Sequence, residues 1–308
     1  MKLERILLAT DFSPLACPAE DYAALLAADW SAHLTIMTVL EFPPGMDPDY
    51  PLNQHYLTQR MSEATDQLAD LKQRSLRRHL RVGTRIATGI PSVEINQAAE
   101  DEDSDLIVVG TRGKSGLAHV LLGSTAERVI RTARCPVLAV HMTESSAPRE
   151  VACHRLLVPI DGSDCSLDAL EYAAVIARPA KASIDVLHVL EPVSYGLDFT
   201  FDNAQQRAHL RESMKKKVDQ LCMALAASGL TVKGHVVGGL AVDSILSQAK
   251  ALSSDVIVMG THGRRGFSHA LAGSVTEAVL RRAECPVFTV RSPKFRRPPR
   301  PAHDEHPS

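Results

Sequence analysis

The sequence has few cysteines and no pattern of the kind that binds structural zinc. Six cysteines are spread over 308 residues without a CxxC pair, which argues against a disulfide framework and favours reduced thiols. Cys135 and Cys285 each precede a proline where a strand is expected to begin, and a small buried apolar residue is the simplest role there. The thirteen histidines form no HExxH motif and no Cys/His cluster. A structural zinc site is therefore not indicated, while a site assembled from distant residues stays open.

Long apolar runs and a strong net charge are also missing. No uninterrupted apolar stretch approaches the roughly 18 residues of a membrane span. The first residues enter a strand without the pattern of a signal peptide. The formal net charge is −2, which gives no electrostatic reason to expect nucleic acid. With 45% hydrophobic and 23% charged residues, the composition is that of an ordinary globular protein. We expect a cytoplasmic protein with neither a membrane nor a nucleic-acid partner.

One glycine pattern, Gly-x2-Gly-x9-Gly-Ser, occurs twice at a distance of 150 residues. Its positions are Gly110, Gly113, Gly123 and Ser124 in the first copy and Gly260, Gly263, Gly273 and Ser274 in the second. Residues 106–140 and 256–290 share 18 identities in 35 positions without a gap. Solenoid repeats have units of roughly 20–50 residues, so a period this long indicates a duplicated domain. Each half is long enough to bury its own core.

Short apolar runs alternate with amphipathic stretches in both halves. In the first half the pattern predicts strands at 5–9, 33–40, 81–87, 106–109 and 137–140. It predicts helices at about 18–30, 53–78, 92–102 and 121–132. The second half repeats this order from about 154 to 290. Strands separated by helices favour right-handed crossovers. We therefore predict an α/β chain of two tandem open parallel five-stranded sheets with helices on both faces.

The domain boundaries follow from the repeat and from a polar linker. We predict a first domain at 1–142, a linker at 143–151 and a second domain at 152–292. The tail 293–308 is rich in proline, arginine and histidine and has no periodicity, so we predict that it is disordered.

Unusual residues follow the strands at one end of each predicted sheet. Asp11 and Asp161 follow the first strand of each half, Val39 and Val189 lie near the end of the second, and the glycine pattern follows the fourth. In open parallel sheets, ligands bind beyond the carboxyl ends of the strands, where the strand order reverses. These loops are therefore expected to converge on one crevice in each half.

The glycine pattern favours an anion site. Glycines such as Gly110 and Gly113 can adopt positive φ and let the backbone approach an oxygen-rich ligand. The start of the next helix, at Gly123 and Ser124, offers main-chain N–H groups and the helix dipole, with Ser124 expected as N-cap. The second copy predicts the same roles. A purely structural reading, in which the glycines shape turns and the serines cap helices, stays open at this point.

The sequence lacks both of the best-known nucleotide signatures. It has no GxxxxGK motif, and its first strand is not followed by GxGxxG. The spacing Gly-x2-Gly-x9-Gly-Ser after a fourth strand instead resembles the universal stress proteins in their tandem two-domain form. The turns Thr10–Ser13 and Pro159–Ser163 and the two Cys-Pro-Val strand entries are also similar. The resemblance covers residues 1–142 and 152–292.

The resemblance implies Rossmann-like domains of the adenine nucleotide alpha hydrolase-like type that bind ATP, with Mg²⁺. In the ATP-binding branch, the aspartate after the first strand and the end of the second strand hold the adenosine. These positions are Asp11 and Val39 in the first half, Asp161 and Val189 in the second. The glycine pattern holds ribose and phosphates. The halves differ at Pro91/Ala241, at Arg112/His262 and at Lys114-Ser115/Arg264-Arg265, so their affinities are expected to differ.

Three functions remain open on the sequence. The first is a stress-response protein that binds ATP in one or both halves, with at most slow hydrolysis and no assigned catalytic residue. The second is a slow ATPase or other nucleotide-processing enzyme, for which His262 is the only candidate acid or base. The third is an interaction module that binds a different small ligand. The family resemblance further suggests an internal pseudo-dimer across the fifth strands, which would cover an exposed sheet edge, and leaves a homodimer possible.

Overall fold

The computed structural model of the chain describes residues 2–41, 51–111, 122–141, 151–191, 204–261 and 273–291. The first half contains β1 (Arg5–Ala9), α1 (Cys17–Trp30), β2 (His33–Leu40), α2 (Pro51–Arg77), β3 (Arg81–Thr88), α3 (Pro91–Asp101), β4 (Leu106–Gly110), α4 (Ser124–Thr132) and β5 (Val137–Val140). The second half contains β6 (Arg155–Pro159), α5 (Asp164–Ala180), β7 (Ser183–Leu190), α6 (Ala204–Ala226), β8 (Thr231–Gly238), α7 (Ala241–Ala251), β9 (Val256–Gly260), α8 (Ser274–Arg282) and β10 (Val287–Val290). The predicted alternation of strands and helices is confirmed in both halves.

The ten strands form one sheet in the order β3-β2-β1-β4-β5-β10-β9-β6-β7-β8. Within each half all neighbouring strands are parallel, whereas β5 and β10 pair antiparallel, with Phe288 opposite Leu138. The α/β fold class and the packing of the halves across their fifth strands are therefore confirmed. In each half the chain first builds outward on one side of the first strand and then returns to the other side. In sheets of this kind ligands bind at such a reversal, which here lies at the carboxyl ends of β1 and β4 and, in the second half, at those of β6 and β9.

Apolar side chains cover both faces of the sheet. Along β1, Ile6 and Leu8 point into a core shared with α1 and α5, whereas Leu7 points into a core shared with α3, α4, α7 and α8. All three side chains are at most 1% exposed. Because successive strand residues point to opposite faces, a strand that is buried on both sides needs a continuous apolar run. The short apolar runs of the sequence are thereby explained.

Contacts between the halves extend beyond the pairing of β5 and β10. Leu138 and Phe288, which lie opposite each other at this joint, are only 1% and 2% exposed. The Thr289 hydroxyl donates a hydrogen bond of 3.1 Å to the carbonyl of Val137. Arg281 of α8 lies 3.5 Å from the carboxylate of Glu127 in α4. The join between the halves is therefore apolar at its centre and polar around it.

Several predicted segments lie outside the described residues. These are the tail 293–308 and the linker 143–151 except for residue 151, so the domain boundaries stay a prediction. No helix in the described part of the chain is both long and apolar enough to cross a membrane.

Candidate functional site

A cavity of about 370 Å³ opens at the carboxyl ends of β1, β2 and β4; we call it the first-half crevice. Its volume falls within the range of small-molecule sites, roughly 300–1,000 Å³. Five of the six first-half residues that the sequence predicted for a site line it, and the sixth, Gly113, lies outside the described residues. The five are Asp11, Val39, Gly110, Gly123 and Ser124. Residues separated by more than 100 positions are thus brought into one cavity.

Asp11 is held by the turn that follows β1. Its Oδ1 accepts hydrogen bonds from the main-chain N–H of Ser13, at 3.0 Å, and from the Ser13 hydroxyl, at 2.7 Å. In the second half Asp161 accepts the same two bonds from Ser163, at 2.9 and 2.6 Å. This local turn, in which an aspartate caps the main chain two residues on, fixes each carboxylate beside its strand end.

The end of β2 directs main-chain groups toward the first-half crevice. The carbonyl of Met37 accepts a hydrogen bond from the N–H of Thr10, on the β1 side. The carbonyl of Leu40 accepts one from the N–H of Gly89, on the β3 side. Because main-chain groups alternate in direction along a strand, the N–H and C=O of Val39 point toward β1. Strand β1 ends opposite Met37, so these groups face the space above its end.

The turn after β3 requires a glycine in both halves. Gly89 has a φ of +147°, and a Cβ placed on it would lie 2.8 Å from Oε1 of Glu94. Gly239 has a φ of +145°, and its N–H donates to the carbonyl of Leu190. Through their N–H groups these glycines bond the ends of β3 and β8 to the neighbouring strands, at Leu40 and Leu190.

The start of α4 is tied to the end of β4. The N–H of Gly123 donates to the carbonyl of Thr111 at 2.6 Å, and a Cβ on Gly123 would lie 3.1 Å from that oxygen. Gly273 and Thr261 form the same 2.6 Å bond in the second half. Glycine at this position therefore lets the helix start approach the strand end closely.

The prediction that the serines serve as N-caps is wrong. The N-cap of α4 is Gly123, with φ −69° and ψ 150°, and no side chain caps the helix. Its carbonyl accepts from Glu127, so Ser124 becomes the first helical residue. The helix predicted from residue 121 thus begins at Ser124, and α8 likewise begins at Ser274 after Gly273. This arrangement favours ligand binding, because the N–H groups of the first helical residues, beginning with Ser124, have no hydrogen-bond partner within the helix.

The prediction of positive φ at the first glycine of each pattern is also wrong. Gly110 and Gly260 are the last residues of β4 and β9 and are extended; neither is among the described glycines with positive φ. A Cβ on Gly260 would lie 2.7 Å from the carbonyl oxygen of Cys165 and 2.8 Å from its Sγ. The absent side chain therefore makes room for the first turn of α5. Gly113 and Gly263 lie outside the described residues.

Several residues that line the first-half crevice were missed by the sequence analysis. Arg60, Glu63 and Gln67 extend from α2 at the cavity. Nη1 of Arg60 lies 3.3 Å from Oε2 of Glu63. Both side chains are more than 40% exposed, so their ion pair adds little to stability. On the sequence they belong to a long polar helix with no motif, and only the packing of α2 over the sheet reveals their place.

The second half has equivalent residues at its strand ends, but different residues on α6, the helix that corresponds to α2. Asp161, Val189 and Gly260 lie at or just after the carboxyl ends of β6, β7 and β9, as predicted from the repeat. Gly273, which precedes Ser274 at the start of α8, is bonded to Thr261 directly after β9. Where α2 carries Arg60, Glu63 and Gln67, the residues of α6 at the same offset of 150 are Leu210, Ser213 and Lys217. The chemistry beside the second strand therefore differs between the halves.

No group of three or more His, Cys, Asp or Glu side chains that could hold a metal ion occurs in the described part of the chain. Asp11 is the carboxylate that both the sequence and the cavity place at the site. Mg²⁺ usually keeps several waters and binds through one or two carboxylates together with substrate phosphates. Asp11, Glu41 and Glu63 are the carboxylates that line the first-half crevice; Asp11, which shares that cavity with the start of α4, fits the pattern and does not form a metal cage by itself.

Comparison with known proteins identifies the family. The model described as "Universal stress protein family" matches residues 2–141 and again 153–291. A universal stress protein of Methanocaldococcus jannaschii is 34% identical over 141 residues, which cover 44% of this chain and 81% of that protein. One of Synechocystis sp. is 25% identical over 310 residues, covering 94% of this chain and all of that protein.

A solved structure shares the fold over nearly the whole chain. The crystal structure of a universal stress protein from Archaeoglobus fulgidus aligns with a TM-score of 0.69 at 23% identity, covering 94% of this chain and 97% of that one. The alternating strands and helices, the duplicated glycine pattern and the two matches to the family model agree. The chain belongs to the universal stress protein family, a stress-response family, and contains two copies of its domain.

Proposed function

We propose that this protein binds an adenine nucleotide, ATP together with Mg²⁺, in one or both halves and acts as a stress-response regulatory protein. One observation carries the proposal. The start of α4, the carboxylate of Asp11 and the main chain of Val39 meet in a single cavity of about 370 Å³. These three features match, in order, the phosphates, the sugar and the base of a nucleotide.

The helix start supports the phosphate end of the proposal. Ser124 and Thr125 are the first residues of α4 and both line the cavity. Their N–H groups lie in the first turn, where a helix carries about half a positive charge and readily binds anions. The hydroxyl of Ser124, which does not cap the helix, is then a further donor for a phosphate oxygen.

The strand ends support the adenosine end. The N–H and C=O of Val39 face the crevice beside each other, and a donor next to an acceptor is what the edge of adenine pairs with. Apolar side chains of Met37 and Ile95 line the same region and suit a flat aromatic base. Asp11, one strand away, is placed to accept a hydrogen bond from a ribose hydroxyl or to face a magnesium ion.

The lining residues favour binding over rapid hydrolysis. Efficient phosphoryl transfer uses a lysine or arginine on the phosphates and a residue that positions the nucleophile. Arg60 is the only lysine, arginine or histidine among the described residues that line the first-half crevice, and it is paired with Glu63. We therefore propose at most slow hydrolysis.

Replacement of the two aspartates by asparagine tests the proposal. Asparagine keeps an Oδ1 that accepts from Ser13 or Ser163, so the turn is retained while the charge is removed. Binding of fluorescent ATP with Mg²⁺ is measured for the wild type, Asp11→Asn, Asp161→Asn and the double variant. A hydrogen bond to a charged group contributes about 1.5–3 kcal/mol, so the double variant should bind about 10- to 100-fold more weakly.

A matched control is Asp66→Asn, because that exposed aspartate on α2 is not among the residues that line the cavity. It should leave the affinity unchanged. Absence of ATP binding in the wild type, or equal affinity in the wild type and the double variant, would refute the proposed function.

A further inference from the structure

Phe12 in the first-half crevice has an unusual backbone conformation. Its φ is +59°, in the left-handed region that bulky residues avoid because Cβ approaches the carbonyl oxygen that follows. Phe12 directly follows Asp11 and lines the cavity. At the same position the second half has Gly162, with a φ of +79°, where no such strain arises. The two halves therefore form the same turn, but only the first half forms it with a side chain.

A chain of polar contacts holds this turn in the first half. The N–H of Phe12 donates to Oγ1 of Thr10 at 3.0 Å. The Thr10 hydroxyl donates in turn to Oε1 of Glu20 at 3.1 Å. Nη2 of Arg74, on α2, lies 3.7 Å from Oε2 of Glu20. Asp11 thus lies between two residues, Thr10 and Phe12, that are fixed through one buried glutamate.

Burial of the Glu20 carboxylate is energetically unfavourable. Its side chain is only 8% exposed, and Thr10 is 6% exposed. Burial raises the pKa of Glu20, the hydrogen bond from Thr10 and the charge of Arg74 oppose that rise, and the carboxylates of Asp21 and Asp11 add to it. A buried carboxylate is tolerated only where its partners are well placed. Here one of those partners, Thr10, lines the first-half crevice.

The second half cannot form this network. At the offset of 150, Thr10, Glu20 and Arg74 correspond to Ile160, Leu170 and Ala224. None of these side chains has a hydrogen-bonding group. The second half, in which Gly162 removes the backbone strain, therefore also lacks the polar contacts that support the turn in the first half. This concerted difference links the left-handed Phe12 to the buried Thr10 and Glu20.

We propose that Thr10 and Glu20 are positioning residues of the first-half crevice, which hold Phe12 left-handed and thereby aim the carboxylate of Asp11 at the bound ligand. The proposal rests on the proposed function in taking ATP as that ligand. Glu20 does not line the cavity; Thr10 does, but its hydroxyl is engaged by Phe12 and Glu20, so neither role requires a contact with the nucleotide. The orientation of Asp11 depends on this network, whereas that of Asp161 depends on the glycine at 162.

Thr10→Val is the central variant, because valine keeps the shape of threonine and removes the hydroxyl. ATP affinity is measured on the full chain in an Asp161→Asn background, so that binding reports mainly on the first half. The strain of one left-handed bulky residue corresponds to a factor of about 5 to 30. We expect Thr10→Val to weaken binding by that factor. Glu20→Leu should weaken binding by the same factor. Glu20→Gln, which keeps an acceptor for the Thr10 hydroxyl, should retain most of the wild-type affinity.

Phe12→Gly separates positioning from a general loss of structure. In the Phe12→Gly background the turn no longer needs support, so adding Thr10→Val should change the affinity less than about threefold, against 5- to 30-fold with phenylalanine present. Thr35→Val is the matched control. Thr35 is also a buried threonine that donates to a glutamate, Glu102, but it does not line the cavity, and its loss should leave ATP affinity unchanged.

The outcomes distinguish this inference from the proposed function. If the wild type binds ATP and Thr10→Val binds it equally well, or if the loss is the same with and without Phe12→Gly, the inference is overturned. If the wild type binds no ATP, the proposed function fails, and a crystal structure of Thr10→Val decides the rest. A φ at residue 12 that stays near +59° would then overturn the positioning role, and a flipped turn would support it.

Discussion

Raising the pH should weaken the contact between the halves through Tyr22. This side chain lies on α1 of the first half, is 8% exposed, and its hydroxyl is hydrogen-bonded by the main chain of Ala152, just before the second half begins. Burial, followed by the nearby Cys153 thiol, raises the pKa of Tyr22 from 10.0 to about 12. Between these values the unfolded chain releases the phenolic proton and the folded chain retains it, so folding stability is present below pH 10 and is lost as the pH rises toward 12.

The magnitude follows from the shift. One pKa unit corresponds to about 1.4 kcal/mol, so the wild type should lose about 2 kcal/mol through Tyr22 between pH 9 and pH 12, where the folded phenol is itself half ionised. Tyr22→Phe cannot lose this contribution. At pH 9 it should be less stable than the wild type by about 0.5–1.5 kcal/mol, because one hydrogen bond is missing. The two stability curves should therefore cross at about pH 10–11, above which the variant is the more stable protein.

Urea denaturation of both proteins at intervals of half a pH unit from 8 to 12 measures the curves. Burial also raises the pKa of Cys153 to about 12, but this thiol is present in both proteins and largely cancels from their difference. A constant difference between wild type and Tyr22→Phe across this range would refute the reasoning, since it would mean that the folded and unfolded chains bind the phenolic proton equally.

Three further substitutions test the packing that forms the site and the join. Gly260→Ala should destabilise the protein by about 1–3 kcal/mol in urea denaturation, because the new Cβ would lie 2.7 Å from the main-chain oxygen of Cys165; unchanged stability would contradict the close approach of α5 to β9. Phe288→Ala should lower the free energy of unfolding by about 3–5 kcal/mol, since the ring is 2% exposed at the antiparallel joint, and a loss below 1 kcal/mol would show that the joint is not packed this way. Glu127→Gln should cost at most about 1 kcal/mol, with a difference that shrinks at 1 M salt, because its partner Arg281 is 41% exposed; a larger, salt-independent loss would contradict a surface ion pair.

The strands and the meeting of distant loops could be predicted because they depend on patterns that repeat. Runs such as Leu106–Val109 are apolar at every position, which is required of strands covered on both faces, and the 150-residue offset marks the same strands twice. The rule for parallel sheets then places Asp11, Val39 and Gly123 at one edge. The structure brings these residues to one cavity.

Details of main-chain geometry could not be predicted. A Gly-Ser pair at a helix start allows either residue to be the N-cap. In the structure it is the glycine, whose carbonyl accepts from Glu127 while its N–H donates to Thr111. Likewise, glycine after a strand suggests positive φ, whereas Gly260 is extended and serves the close approach of Cys165. Both outcomes depend on contacts between segments that are distant in the sequence.

The residues around the crevice that belong to α1 and α2 could not be identified from the sequence, for a related reason. Glu20 lies in an alanine-rich helix, where a single glutamate normally faces solvent, and nothing near it in the sequence indicates its contact with Thr10. Arg60 and Glu63 lie on a long polar helix whose orientation over the sheet the sequence does not determine. Comparing the halves position by position would have provided one signal, since Thr10, Glu20 and Arg74 all become apolar together in the second half.

A crystal structure of the full chain grown with ATP and Mg²⁺ tests the central claim most directly. The account predicts electron density for the nucleotide in the first-half crevice, with phosphate oxygens within hydrogen-bonding distance of the N–H groups of Ser124 and Thr125. The adenine should pair with the N–H and C=O of Val39, next to Asp11. An empty crevice at saturating ATP, or a nucleotide bound away from the start of α4, would contradict the account.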